Sequence, residues 1–506
     1  TVSGHDINQD AFVKVQGHKV PVDPDGRFVA DFVVPNGKNN IEMDYMANPS
    51  AKPIRYSREI TIKDYDFFFI GVGDFTIGEN KISSPSGLDP EKFGDKDGFF
   101  DEGRLAFFLR GKIKGEYLLT ARADTGRQEF KDMLKGLDDQ NDDLYRRIDA
   151  DRYYPIFSDK SKVDDNYASQ GKLYVKIERD ESYAMWGSYK TEIRSTDLNQ
   201  IRRTLYGGKV KWVAEDRTKY GEPMRELILF GASPESFPVT DEFRGTGGSI
   251  YFLSYRDMLL GSDKVRVETR DRNSDLVLHT KYLKYGYDYD IDYDSGRILL
   301  NEPLEGAVDD DDVIRSEDNE WGDPVYLVVS YEAKTSLATM KDANVVGGVA
   351  QAWVNDNVKV GVTAVHEDMK GSADNKMYGI DAMIRKTPKT YVKGSYTLTE
   401  GTNIERNTSL DGGFTTTTQS QFTTTKEKYG IDVEAAADLS ELHEKVDGRF
   451  KGYYRELESG FTGITQATQT DSKQYGGALH LTPSEYFRLR AEYDHKDNNG
   501  GKTDRY

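Results

Sequence analysis

Segments of about ten residues, with hydrophobic side chains on every second position, recur along most of this chain. NVVGGVAQAWVND, NVKVGVTAVHED, MYGIDAMIRK, TYVKGSYTLTE, KYGIDVEAAADL and YFRLRAEYDH carry the pattern. Alternate residues of a strand share a face, so each segment is a strand with one apolar side and one small, polar or charged side. In MYGIDAMIRK, Tyr378, Ile380, Ala382 and Ile384 fall on one side, and Asp381 and Arg385 on the other. A strand with lipid on one side and a lumen on the other needs this arrangement, and closing the sheet satisfies every backbone group inside the hydrocarbon. Soluble β-domains alternate too. Long consecutive hairpins, with Tyr and Phe near the strand ends, favour the barrel.

Composition agrees. The 506 residues include 47 Gly, 32 Tyr and 23 Phe, and no cysteine. Lacking cysteine, the chain has no disulfide, no cysteine-held zinc or iron–sulfur site and no thiol catalysis. Lys and Arg total 68 against 87 Asp and Glu, a net charge of −19 that argues against a nucleic-acid partner. The most apolar run, FFFIGVG at 67–73, is far short of the ~20 residues a membrane helix requires. A mean hydropathy of −0.71 still suits a barrel, whose strands are apolar on alternate positions only. No signal-peptide pattern opens at Thr1, so the sequence reads as a mature chain or a fragment.

Texture divides the chain into five regions. Residues 1–65 place short alternating runs between the turn signals QGHKV, DPDG and PNGKNN, as expected of a small β-sandwich. Residues 66–102 read as a connector or plug segment. Residues 103–253 supply barrel strands, beginning with the hairpin GRLAFFLRGKIKGEYLLTARADTG, in which Leu105, Phe107 and Leu109 share a face with Tyr117, Leu119 and Ala121. A long acidic loop at 125–170 interrupts them, with a short helix expected near 127–147. Residues 254–332 read as an inserted soluble β-subdomain, because their strands are short and AVDDDDVIRSEDNEWGD could not face lipid. Residues 333–506 return to barrel strands, broken by a Thr-rich stretch at 402–425 expected to be a mobile surface loop.

The seven histidines are dispersed, and there is no HExxH pair, GxSxG elbow or phosphate loop. No enzyme is expected, although a triad assembled from distant residues would leave no such trace. Lys112, Arg122, Lys172, Lys176, Asp381 and Arg385 fall opposite the apolar side of their strands and are the candidate lumen-facing charges. Calcium is the one cofactor with any support, and then only weakly, through Asp138, Asp139, Asp142 and Asp143 and through Asp309, Asp310, Asp311 and Asp312. A hydrated acidic surface is the simpler account of these runs.

The stretch YLKYGYDYDIDYDSGRILLNEPL, from residue 282, sets Asp288, Asp290, Asp292 and Asp294 two apart. A calcium loop needs Gly at its sixth position and Glu at its twelfth, but counting from Asp290 these are Ser295 and Asn301. The period is that of a strand. Tyr287, Tyr289, Ile291 and Tyr293 are then expected on its buried side, Asp294-Ser295-Gly296 as the turn, and Ile298 and Leu300 in the returning strand.

DYDIDYDSGRILLNEPL resembles a strand element of very large Gram-negative outer-membrane barrels, including the type 9 secretion and gliding translocon. The runs DFFFIGVGDFTIG, GRLAFFLRGKIKGEYLLTARADTG, RYYPIFSDKS and GKLYVKIERDESYAMWGSY are similar to outer-membrane proteins that carry Ig-like repeats before a barrel. Residues 8–63 resemble bacterial Ig-like domains. The resemblance implies an outer-membrane barrel with an N-terminal Ig-like module, and roughly 16–22 strands are expected within the even-numbered range of such barrels. It implies contact with outer-membrane lipid and with envelope or secretion proteins, and it supplies no catalytic residues. The expected role is a conduit for a polymer, protein or solute, or an envelope anchor. A soluble or surface-tethered adhesin is the main alternative, and an outer-membrane hydrolase a distant one.

Overall fold

A computed structural model describes residues 2–4, 7, 11–20, 22, 28–30, 37–47, 53–62, 67–81, 98–113, 117–135, 172–191, 193–194, 196–201, 203–234, 236–259, 261–272, 277–308, 322–334, 343–368, 374–419, 421–443, 446–463, 467–484, 487–498 and 501–505. Two compact units emerge, one from residues 1–189 with 206–213, the other from 190–205 with 214–506.

In chain order the first unit holds β1 (Val2–Gly4), β2 (Phe12–Val15), β3 (His18–Val20), β4 (Phe28–Ala30), β5 (Gly37–Met46), β6 (Ile54–Ile62), β7 (Phe67–Asn80), β8 (Gly98–Ile113), β9 (Tyr117–Asp124), β10 (Leu173–Arg179) and β11 (Ser182–Lys190). Next come β12 (Ile193–Arg194) and β13 (Gln200–Ile201) of the second unit, then β14 (Thr204–Val213), most of which belongs to the first. The second unit continues with β15 (Arg225–Ala232), β16 (Ser236–Arg244), β17 (Ile250–Phe252), β18 (Lys264–Arg270), β19 (Val277–Tyr282), β20 (Tyr289–Asp292), β21 (Arg297–Leu300), β22 (Ala307–Val308) and β23 (Asp323–Lys334). It ends with β24 (Asn344–Asn355), β25 (Val358–Asp368), β26 (Asn375–Arg385), β27 (Tyr391–Thr402), β28 (Glu405–Ser409), β29 (Thr417–Thr418), β30 (Thr423–Asp438), β31 (Gly448–Leu457), β32 (Ser472–Ser484), β33 (Phe487–Asn498) and β34 (Gly501–Arg505).

The chain is all-β around one 16-stranded antiparallel sheet, in the order β34-β33-β32-β31-β30-β27-β26-β25-β24-β15-β14-β11-β10-β9-β8-β7. Neighbours in the sheet are neighbours in sequence, apart from the strands looped out between them, so its connections alternate between two ends. In the second unit one end carries tight turns, at 356–357 and 386–390. The other end carries the long excursions between β15 and β24, β27 and β30, and β31 and β32. Within the first unit, two small sheets precede β7: the pair β1-β4 and the sheet β3-β2-β5-β6, with Val13, Val15, Val20 and Phe28 at their centre.

Several expectations change. Within 66–102 the described residues 67–80 and 98–102 are strand rather than connector: β7 pairs with β8 in an unbroken register from Phe67↔Gly111 to Asn80↔Gly98. Of the helix expected near 127–147, the described residues hold a single 3-10 turn at Phe130–Asp132, and residues 136–171 lie outside the described set. The Thr-rich stretch contains β28 and β29 rather than a bare loop, and β28 pairs in parallel with β16. A seven-stranded sheet therefore forms from β19, β18, β23, β16, β28 and β29, with β22 attached to β23. Its strands come from the tips of two different hairpins of the large sheet.

β17, β21 and β20 pack on this second sheet through a core containing Val239, Phe243, Tyr251, Ile298, Leu327 and Val329. The acidic motif supplies β20 and β21, with register Tyr289↔Leu300 and Ile291↔Ile298. Tyr289, Ile291, Ile298 and Leu300 are buried while Asp290 and Asp292 face out, as the period of two requires. Tyr287 departs from expectation and is 78% exposed, because the strand begins only at Tyr289. The turn needs Gly296: its φ is +69°, and a Cβ there would lie 2.7 Å from the Tyr255 carbonyl oxygen. Tyr293 is partly buried, and its hydroxyl donates to Asp263 (2.6 Å), which also accepts from the Tyr289 hydroxyl.

Candidate functional site

The two faces of the large sheet differ sharply. In the second unit, Leu227, Ala350, Val362, Ile380, Tyr396 and Ile431 are successive register partners across six strands, giving one apolar row. Parallel rows pass through Tyr378 and Leu398, through Ala382 and Val433, and through Ile384 and Val392. Most of these residues are exposed in the isolated chain, Ile380 to 59% and Val362 to 55%, and Leu227, Ala350, Leu398 and Ile431 are half-buried. From Tyr378 to Ile384 the band runs roughly 20 Å along the strand at about 3.4 Å per residue.

The opposite face is polar. Its rows are Thr363–Gly379–Thr397–Gly430, then Gly361–Asp381–Ser395–Asp432–Arg455, then Lys359–Met383–Lys393–Glu434–Tyr453. Lys393 pairs with Glu434 (3.1 Å), Arg455 with Asp432 (2.7 Å), and the Tyr453 hydroxyl donates to Asp494 (2.8 Å). The Oγ of Ser395 and the Oγ1 of Thr363 are buried without a hydrogen-bond partner among the described residues.

The described residues between Thr191 and Arg203 lie on this polar face. The hairpin β12–β13 is closed at its neck by Thr191, whose Oγ1 donates to the Ile201 carbonyl (2.7 Å) and accepts from Arg203 N (2.9 Å). Its tip reaches the wall at three points. Asp197 pairs with Arg455 (2.8 Å). Asn199, fully buried, accepts through Oδ1 from Thr397 Oγ1 (2.5 Å), and Gly379 makes room for it: a Cβ there would stand 2.0 Å from that oxygen. Leu198 joins Leu457 and Phe461 in a small apolar cluster, and Phe461 comes from the β31–β32 connection.

At the base of the segment Arg203 is 4% exposed. It donates to Glu332 through Nε (2.6 Å) and Nη2 (3.2 Å), to Glu367 through Nη1 (2.8 Å) and to the Ser236 carbonyl (3.2 Å). Burial alone would loosen its proton, but the two carboxylates outweigh this and hold the guanidinium charged, well above its ordinary value.

All six candidate lumen charges are described. Lys112, Arg122 and Lys176 sit in the first unit on the side of β8, β9 and β10 opposite Phe107, Leu119 and Ile177. Lys176 pairs with Glu178, and its ammonium stands 4.9 Å from the Tyr183 ring centre. Lys172 immediately precedes β10, and Asp381 lies over Gly361. Arg385 is engaged at the tight-turn end of the second unit: it donates to both Glu222 oxygens and to the Asp356 carbonyl, between the rings of Trp353 (3.7 Å) and Tyr220 (4.5 Å). The calcium candidates Asp138, Asp139, Asp142, Asp143 and Asp309 to Asp312 lie outside the described residues. Among the described residues no group of three His, Cys, Asp or Glu could hold a metal ion.

Sequence reasoning missed Arg203, Asn199 and Arg455. RSTDLNQIRR carries no alternation and reads as an ordinary connection, and nothing local shows that it folds onto a distant wall.

No protein-family profile and no curated protein sequence matches the chain. Solved structures to which it is similar include OpdQ of Pseudomonas aeruginosa, at 10% identity over 86% of this chain and 92% of that one, with a TM-score of 0.22. A BenF-like porin from Pseudomonas fluorescens gives 10%, 87%, 96% and 0.23, and OccAB4 of Acinetobacter baumannii gives 11%, 87%, 94% and 0.24. Likeness at these TM-scores carries no argument, so the functional reading rests on the chain's own register and burial.

Proposed function

We propose that this protein is an outer-membrane β-barrel that gives polar molecules a route across the envelope. One observation carries the reading: register-aligned aliphatic and aromatic rows cover one face of the sheet, while ion pairs and buried hydroxyls cover the other. The apolar rows give the sheet the lipid-type band that such barrels carry, and tight turns at one end with long excursions at the other match their periplasmic and external loops. By that rule the second sheet lies outside the cell, and we read the N-terminal sheets of the first unit as an Ig-like module. The charges on the polar face would then touch what passes.

Tryptophans provide the test. Trp186 and Trp212 are 43% and 45% exposed on their strands, whereas Trp353 is buried beneath Arg385. Single-tryptophan variants in vesicles of brominated lipid should show strong quenching of Trp186 and Trp212 and little of Trp353. Equal quenching of all three, or release of the protein by a salt wash, would favour a soluble or surface-tethered adhesin instead.

A further inference from the structure

We infer that residues 191–203 form a stopper that closes the polar interior at rest, latched at its tip and anchored at its base. This rests on the conduit reading and adds how the path is held shut.

Three features separate the segment from a surface loop. Several of its residues are among the most buried of those described, with Ile193, Leu198 and Ile201 each at 1% exposure and Asn199 at 0%. A loop at the rim of a sheet would stay wet. Its contacts are also made with a distant wall: Thr397 on β27, Arg455 and Leu457 on β31, and Phe461 beyond it. Finally, the wall is shaped to receive it. Gly379 and Gly430 leave the space that Asn199 and Leu198 fill, since a Cβ on Gly430 would come within 3.0 Å of Leu198.

The two ends of the segment are not equivalent. Arg203 is buried between two carboxylates and a carbonyl, an arrangement that resists opening because either acid would be left buried and unpaired. The tip is weaker: Asp197 is 56% exposed, and its partner Arg455 keeps Asp432 when Asp197 leaves. Opening would therefore begin at Asp197–Asn199 and pivot about Arg203, with Arg455 remaining neutralised on the wall. Asp197 and Leu198 act here as positioning residues of the closed state.

Planar-bilayer conductance tests the proposal. Wild type should pass little current, and Asp197→Asn or Leu198→Ser should raise the mean current about tenfold, the change expected when one contact leaves a two-state closure. With no native cysteine, the Asn199→Cys, Thr397→Cys pair supplies a lock: silent when cross-linked, conducting once reduced. Heat-modifiable gel migration equal to wild type shows that each variant has folded. Wild-type current equal to that of the tip variants, or a cross-link without effect, overturns the stopper and leaves the conduit standing. Failure of every folded protein to insert into bilayers overturns both.

Discussion

Arg203 shows how much one side chain can organise. Its guanidinium joins the base of the stopper to Glu332 on β23, to Glu367 on β25 and to the backbone of β16. Arg203→Met should cost about 3–5 kcal/mol, because two carboxylates would stay buried without their cation. Urea titration of the detergent-solubilised protein measures this; a loss below about 1 kcal/mol would mean that the acids reach water. The second sheet holds another such knot. Glu268 accepts from Arg266 (2.6 Å) and Arg270 (2.6 Å), and Arg270 also pairs with Glu242 (2.9 Å). Burial would raise the Glu268 pKa, but the two arginines outweigh it and hold it below the ordinary value of 4.5. The stabilisation is therefore complete above that value and is lost as pH falls through the lowered one. Unfolding of the second sheet should become easier below about pH 4, and Glu268→Gln should flatten that slope.

At the scale of the element, alternation made most strands of the large sheet legible, because lipid-type exposure on one side and polar lining on the other leave a period of two in the sequence itself. Tyr378, Ile380, Ala382 and Ile384 share the exposed side as the period requires, with Asp381 and Arg385 opposite. β20 and β21 were legible for the same reason, down to the Gly296 turn. β7 was obscured because FFFIGVGD is apolar on both sides and resembles a buried run more than an alternating one. β28 was hidden by its composition: ERNTS has no apolar side, and it becomes a strand only because β16 offers an edge, tied by Asn407 Nδ2 donating to Asp241 (3.0 Å). Long-range partnership of this kind leaves no local trace. The apolar rows carry their own prediction. Ile380→Lys should destabilise the protein in lipid vesicles by about 2–4 kcal/mol, the cost of a cation at mid-bilayer. A loss near zero in a denaturant titration would place that row in water.

Across the whole molecule, one continuous sheet is combined with a second sheet assembled at the tips of two of its hairpins. β16 continues directly from β15 and β23 leads into β24, while β28 and β29 are cut from the loop between β27 and β30. The parallel pairing of β16 with β28 joins residues as far apart as Asp241 and Asn407, 166 positions along the chain. During synthesis the edge of β16 emerges long before its mate and has to wait while β24 to β27 are made. An unpaired strand edge is a template for wrong association, and long-range pairings form slowly. The second sheet is therefore completed only after the intervening strands have been made, and until then the edge of β16 stays open to the wrong partner.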